Sequence, residues 1–236
     1  MNFENHDLFP ITAETNKQGH LIIGNCDVTE LASEFGTPLY IYDEDTLRWM
    51  CKKFVREFTS RYSETKILYA SKAFINPAIA KIVHEEGLGV DVVSGGELAL
   101  VQASGIPPEH IYFHGNNKTP GELVQALDAG VGRIVVDGFS ELDLLETLAK
   151  EAGIEADIML RLSPGVDPHT HVHTTTGTLD SKFGFSVETG DAALAIKQAL
   201  NSHNLNIVGL HYHLGSPIFE LEPYVIALDV VLSLAS

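Results

Sequence analysis

The stretch KILYASKA, Lys66 to Ala73, sets the reading of the whole chain. Ile67, Leu68, Tyr69 and Ala70 are apolar or β-prone and run straight into a lysine, after which Asn76 and Pro77 open a helix. The stretch reads as a strand that ends in an amine. Side chains alternate along a strand, so Leu68, Ala70 and Lys72 share one face while Ile67, Tyr69 and Ser71 share the other, and small Ala70 leaves room beside the amine. A lysine that snorkels to water where a strand leaves the core would account for the octapeptide alone. The flanking sequence decides between a surface lysine and a functional one.

Downstream, apolar strand candidates begin at Lys66, Leu88, Ile111, Arg133 and Asp157, roughly 22 to 24 residues apart, the length of one strand-and-helix unit. Helix starts between them are marked by Asn76 with Pro77, Ser94 with Glu97, Thr119 with Pro120 and Glu122, and Ser140 with Asp143. Gly87, Gly105, Gly130 and Gly153 stand where those helices should stop. A sixth unit follows, with a helix around Ala192 to Leu200, a strand from Asn206 to Leu214 and a last helix from Glu222 to Ser236. Such a series requires parallel strands with right-handed crossovers. Even spacing and the lack of Gly-x-Gly-x-x-Gly after the first strand favour a TIM-type (β/α)8 barrel over an open doubly wound sheet, with about six of eight units present.

Upstream, Leu47, Met50, Cys51, Phe54, Val55 and Phe58 lie on one face of a helix from Glu44 to Phe58. Before it, His20–Ile23 and Pro38–Tyr42 read as short strands and Val28–Phe35 as a short helix. Residues 1–42 are expected to form a separate N-terminal segment and residues 43–236 the barrel.

The chain carries 15 Lys and Arg against 32 Asp and Glu, a net charge of -17 that repels nucleic acid and anionic membrane surfaces. Hydrophobic content of 44% and mean hydropathy of +0.07 describe a globular chain. The start lacks the basic and apolar regions of a secretory signal, and Tyr224–Ala235, interrupted by Asp229, is too short to span a bilayer. Cys26 and Cys51 form no CxxC motif, which fits two free thiols in a cytoplasmic protein.

Barrel enzymes work at the C-terminal ends of their strands. Here those ends are Lys72, Asp91, His114, Asp137 and Arg161, with His213 and Ser216 after the sixth strand. Parity sets Gly89 and Asp91 opposite Val90 and Val92, Met159 and Arg161 opposite Leu160 and Leu162, and His211 and His213 opposite Leu210 and Tyr212. The long connection Ser163–Ser186 contains His169, His171 and His173 without a companion carboxylate or thiolate cluster, so a structural role is preferred to a metal. The pair His211 and His213 keeps open a rival reading as a metal-dependent hydrolase, although such enzymes generally place an H-x-H pair on the first strand.

Five motifs in order, YASKAF around Lys72, DVVSGGEL at Asp91–Leu98, HGNNK at His114–Lys118, SKFGF at Ser181–Phe185 and GLHYHLGSPIFE at Gly209–Glu220, resemble the diaminopimelate decarboxylases. These are pyridoxal-phosphate enzymes of the alanine-racemase-like class. The resemblance implies that Lys72 carries the cofactor covalently, helped by partial desolvation of its amine, that His213 stacks on the ring, and that Ser216 lies near the phosphate. It further implies that Asp91 and Arg161 are polar residues of the cofactor pocket. The reaction implied is decarboxylation of meso-2,6-diaminopimelate to L-lysine, by a homodimer with shared sites. The family's glycine-rich phosphate loop, its acidic partner for the pyridine nitrogen, its substrate arginines and its Cys-Glu segment match nothing here. The residues up to Tyr42 would pack on a β-domain that is also unmatched, and the 236 residues alone are expected to be inactive. A sister decarboxylase of a related diamino acid or carboxylated polyamine, and a cofactor-free binding relative, are the other readings.

Overall fold

The computed structural model describes residues 8–166, 182–216 and 218–235. The chain divides into two compact units, residues 1–69 with 76–90, and residues 70–75 with 91–236.

The first unit opens with a small antiparallel sheet of β1 (Glu14–Thr15), β2 (Leu21–Ile23) and β3 (Cys26–Asp27), in that order. Helix α1 (Val28–Phe35) is capped by Asp27, whose carboxylate accepts from Thr29 N and Thr29 Oγ1. Helix α2 (Glu44–Thr59) is capped by Asp43, which also accepts from Thr12 Oγ1. The segment Pro38–Tyr42, expected as a strand, is irregular. Its aromatic and branched residues give strand propensity, which does not by itself make a strand. Helix α3 (Pro77–Glu85) packs on α2, capped by Asn76 as its sequence indicates.

Strands β4 (Leu68–Ala70) and β5 (Gly89–Val92) begin in the first unit and end in the second. From there the second unit repeats strand and helix: α4 (Gly95–Ala103), β6 (Ile111–Phe113), α5 (Pro120–Ala129), β7 (Arg133–Val136), α6 (Phe139–Ala152) and β8 (Ala156–Ser163). Then come β9 (Phe185–Ser186), α7 (Asp191–Leu200), β10 (Leu205–Tyr212) and α8 (Glu222–Ala235). Strands β6, β7, β8 and β10 lie parallel in the order β10-β8-β7-β6, with β9 beside the end of β8. His114 N donates to Val92 O and Ser71 N to Asp91 O, each at or near 3 Å, so the ends of β5 and β4 continue the ladder.

Two corrections follow from local chemistry. Helix α6 starts at Phe139 behind Gly138, without a side-chain cap, so Ser140 is not its cap; Glu141 instead accepts from Asp137 N at 3.1 Å. The connection after β8 is shorter than expected at its far end, because Phe185 and Ser186 pair with Leu162 and Ser163. His169, His171 and His173 lie outside the described residues.

Burial explains the architecture. Along β8 the pattern alternates: Ile158, Leu160 and Leu162 are at most 2% exposed, while Asp157, Met159 and Arg161 are half-buried on the other face. Each fully buried branched side chain contributes about 1.5–3 kcal/mol, which fixes the register, since a one-residue slip would exchange the faces. The second unit's sheet is also strongly curled. In a flat sheet β6 and β10, three spacings apart, would be roughly 14 Å from each other. The rings of His114, after β6, and His211, on β10, have centroids only 4.7 Å apart. The residues on this concave side therefore converge.

Candidate active site

The convergence gathers Asp91, His114, Arg161, His211, His213 and Lys72, all in the second unit. Short βα turns place them. Ser94 accepts from Glu97 N to start α4 and Glu97 reaches back to Val93 N, holding the end of β5. Thr119 and Glu122 form a capping box on α5, and Glu122 Oε1 also accepts from Gly95 N of the preceding unit. Glu97 in the first turn of α4 thus ties down the end of β5, and Glu141 in that of α6 the end of β7.

Arg161 is fixed by its surroundings. Its Nη1 donates to Asp137 Oδ1 at 3.0 Å, its guanidinium lies 4.5 Å from the centroid of Phe183, and the two charged side chains are 14% and 7% exposed. Asp137 Oδ2 accepts from Gly184 N at 3.1 Å. Gly184 has φ +74, and a Cβ there would meet Arg161 O at 2.7 Å, so glycine is required for this close approach.

At the floor, His114 and His211 meet edge to face. His114 Nε2 lies 3.7 Å from Asp91 Oδ1, beyond hydrogen-bond reach. Burial pushes the Asp91 carboxyl up to about 7 against the opposing pull of Lys72 and Arg161. Burial and then the neighbouring His211, Lys118, Arg161 and His213 push His114 down to about 3, and His211 is lowered to about 4 by burial, Arg161 and His213. Both imidazoles are neutral at pH 7, beside a carboxyl that holds or releases its proton there. His213, nearer the opening, is lowered by burial, Lys72 and Arg161. Asp91 Oδ1 and His211 Nδ1 are buried and have no hydrogen-bond partner among the described residues.

Lys72 is exposed, so the expected desolvation of its amine is not supplied by the residues described. Ser216 is also exposed, in the segment after β10, following Gly215 with φ +118 and open space around its Cβ position. Two residues of the site escaped sequence reasoning. They are Lys118, 1% exposed, and Glu141, which form a buried ion pair at 2.8 Å; Asp137, already read as a strand end, is the partner of Arg161. The signal for the pair was a lysine between a strand and a helix start, followed one repeat later by a first-turn glutamate. Among the described residues no group of three or more His, Cys, Asp or Glu could hold a metal ion, and no helix is long and apolar enough to cross a membrane.

The family model for the pyridoxal binding domain of pyridoxal-dependent decarboxylases matches residues 47–236. The chain belongs to that family. Its cofactor is accordingly pyridoxal 5'-phosphate. A diaminopimelate decarboxylase of Bacillus subtilis (strain 168) is 47% identical over 220 residues, covering 93% of this chain and 50% of that protein. One from Mycobacterium tuberculosis (strain ATCC 25618 / H37Rv) is 41% identical over 228 residues, covering 97% and 50%. Among solved structures, the diaminopimelate decarboxylase of M. jannaschii in complex with L-lysine superposes with a TM-score of 0.85 at 37% identity, over 94% of this chain and 52% of the other. The barrel fold expected from the sequence is the fold of this relative. The chain spans about half the length of the curated relatives it matches.

The residues present fit the cofactor. The mouth offers an exposed primary amine for an aldehyde, an imidazole at the opening, and two buried polar atoms that their own neighbours leave unpaired.

Proposed function

We propose that this chain is the cofactor-bearing part of a diaminopimelate decarboxylase, which converts meso-2,6-diaminopimelate to L-lysine and carbon dioxide. The observation that carries the reading is convergence: the charges of Lys72 and Arg161 both act on Asp91 and on His213, so an amine, a guanidinium, a carboxyl and an imidazole share one concave surface. The similarity to diaminopimelate decarboxylases, at 41% to 47% identity, supports the substrate.

When bound, pyridoxal 5'-phosphate supplies an aldehyde for an amine and a ring that takes up the electron pair left by departing carbon dioxide. In this reading Lys72 holds the cofactor through Nζ, as the one catalytic group assigned. His213 covers the ring, Asp91 and Arg161 contact its polar groups, and the Ser216 hydroxyl donates to the phosphate. Asp91 is suited to hold a proton near Lys72 at neutral pH, and the Asp137 contact keeps Arg161 from swinging away. Residues 1–42 are proposed to pack on a further domain, for which exposed Leu8, Phe35 and Tyr40 offer an apolar surface. A cytoplasmic homodimer with shared sites completes the proposal.

The test is reductive trapping. Borohydride treatment with pyridoxal 5'-phosphate is expected to add the reduced cofactor's mass to the peptide bearing Lys72, and Lys72→Ala to abolish both the adduct and the visible absorbance. In the complete enzyme that this reading implies, meso-diaminopimelate added first is expected to protect Lys72, by displacing the amine, where L-ornithine does not. Adduct on another lysine would overturn the cofactor assignment; equal protection by ornithine would overturn the substrate.

A further inference from the structure

Lys118 lies outside the machinery just assigned, yet among the described residues it is the most deeply buried charge in an ion pair, at 1% exposure. Burying an ammonium costs several kcal/mol unless its donors are met. This ammonium donates to Gly115 O at 2.6 Å and to Val135 O at 2.8 Å, and its charge is paired with Glu141 Oε1 at 2.8 Å. These partners come from three successive pieces of the fold: the turn after β6, strand β7 and helix α6.

The position of Val135 shows what the lysine replaces. Strands β6 and β7 pair as far as Phe113 and Ile134. His114 N is directed at Val92 O of β5, so by the alternation of the ladder the next donor toward β7 would be Gly115 N. At Gly115 the chain turns off, with φ +112, in a space where a Cβ would meet Val93 O at 3.1 Å. Val135 O is then bonded by Lys118 Nζ, three residues on.

We propose that Lys118 is the positioning residue of the site: its ammonium takes over the ladder bond that β6 gives up at Gly115, and so fixes His114 against Asp91 and His211. Past Phe113, where the pairing of β6 with β7 ends, this bond ties the turn carrying His114 to β7. Burial is the main reason that the His114 imidazole is uncharged, and the same cation adds to it, with His211, Arg161 and His213 around the ring; Asp91 lies 3.7 Å from Nε2. The arrangement suits a lysine: one small, reorientable head donates to two carbonyls while its charge stands against a carboxylate.

The inference concerns the chain without cofactor, so it fails or stands separately from the function proposed above. Histidine-labelled protein is titrated by NMR, His114 being identified among the 11 histidines by its loss in His114→Asn. In the wild type its ring signals are expected to stay at the neutral position from pH 8 to 5, displaced by the ring of His211. In Lys118→Met combined with Glu141→Gln, which removes both buried charges, the displacement is expected to collapse and the midpoint to move to higher pH, because a nearby cation is gone. Unchanged position and midpoint, with only a lower melting temperature, would overturn the proposal. Should that double variant not fold, Glu141→Gln alone, which keeps the ammonium and both carbonyl bonds, must leave His114 as in the wild type, and 15N-lysine spectra of the wild type must contain one slowly exchanging ammonium. Release of His114 by Glu141→Gln, or no protected ammonium, would equally refute it.

Discussion

The main charge clusters of the two units are built in opposite ways. In the first, Arg48 on α2 donates at 2.8 Å to Glu44, Glu85 and Glu86, with Lys52 3.5 Å from Glu86, and most of these side chains stand well out in water. In the second, Arg161 with Asp137 and Lys118 with Glu141 are nearly closed off, and each also bonds backbone groups. The geometries are alike at the charged atoms and differ in solvent. An exposed network gains little because water already serves both partners, whereas a buried pair stabilises little as a pair but is costly to break. The second unit accepts that liability where it needs a side chain in one place.

The largest effect is therefore expected from breaking Asp137–Arg161. Arg161→Met leaves Asp137 7% exposed with Gly184 N as its remaining described donor, and a loss of about 3–5 kcal/mol in urea unfolding of the apoprotein is expected. Adding Asp137→Leu to Arg161→Met should recover much of it, since the uncompensated charge is then removed. A single variant as stable as the wild type would show that the pair is open to solvent.

An intermediate effect depends on pH. The Asp91 carboxyl is raised from 3.8 to about 7, so the native chain binds a proton that the unfolded chain releases; that contribution is full below about 4 and is lost as pH rises through 7. His114, lowered from 6.5 to about 3, and His211, lowered to about 4, act with the opposite sign, their contribution being full above 6.5 and lost as pH falls. Asp91→Asn cannot ionise. Relative to wild type it is expected to gain on the order of 3 kcal/mol between pH 4 and pH 8, seen as a crossing of the two stability curves. Parallel curves would mean that Asp91 is solvated.

How much of this was legible in the sequence follows the same division. Strand and helix units were readable because their signals are local: Thr119-Pro120 with Glu122 announces its helix, and α1 falls on the residues expected of it. Strand ends named Lys72, Asp91, Arg161 and His213 as candidates, since parity fixes a face. Parity does not say what a side chain touches. That Arg161 is bound to Asp137, 24 residues away, or that Lys118 turns inward, depends on how far the sheet curls and where β6 departs from it, which are sums of many weak preferences. Pro38–Tyr42 failed for the related reason that strand propensity depends on context beyond the segment itself.

The smallest effect belongs to the exposed network, and its smallness is the point. Arg48 is pulled to a higher pKa chiefly by its bonds to Glu86, Glu85 and Glu44, and Glu85 and Glu86 are lowered in return, which taken alone would make it look indispensable. Its side chain is 26% exposed and Glu44 is 62% exposed, so solvent screens what the bonds supply. Arg48→Gln is expected to lower the melting temperature less than any change above, and the loss should vanish near 1 M salt, where the screening length is about 3 Å. The Arg161→Met loss should persist there, because ions do not enter a pair that is 14% and 7% exposed. If salt erased both losses equally, burial would not be what separates the two units, and Arg161 would have to be regarded as a surface residue.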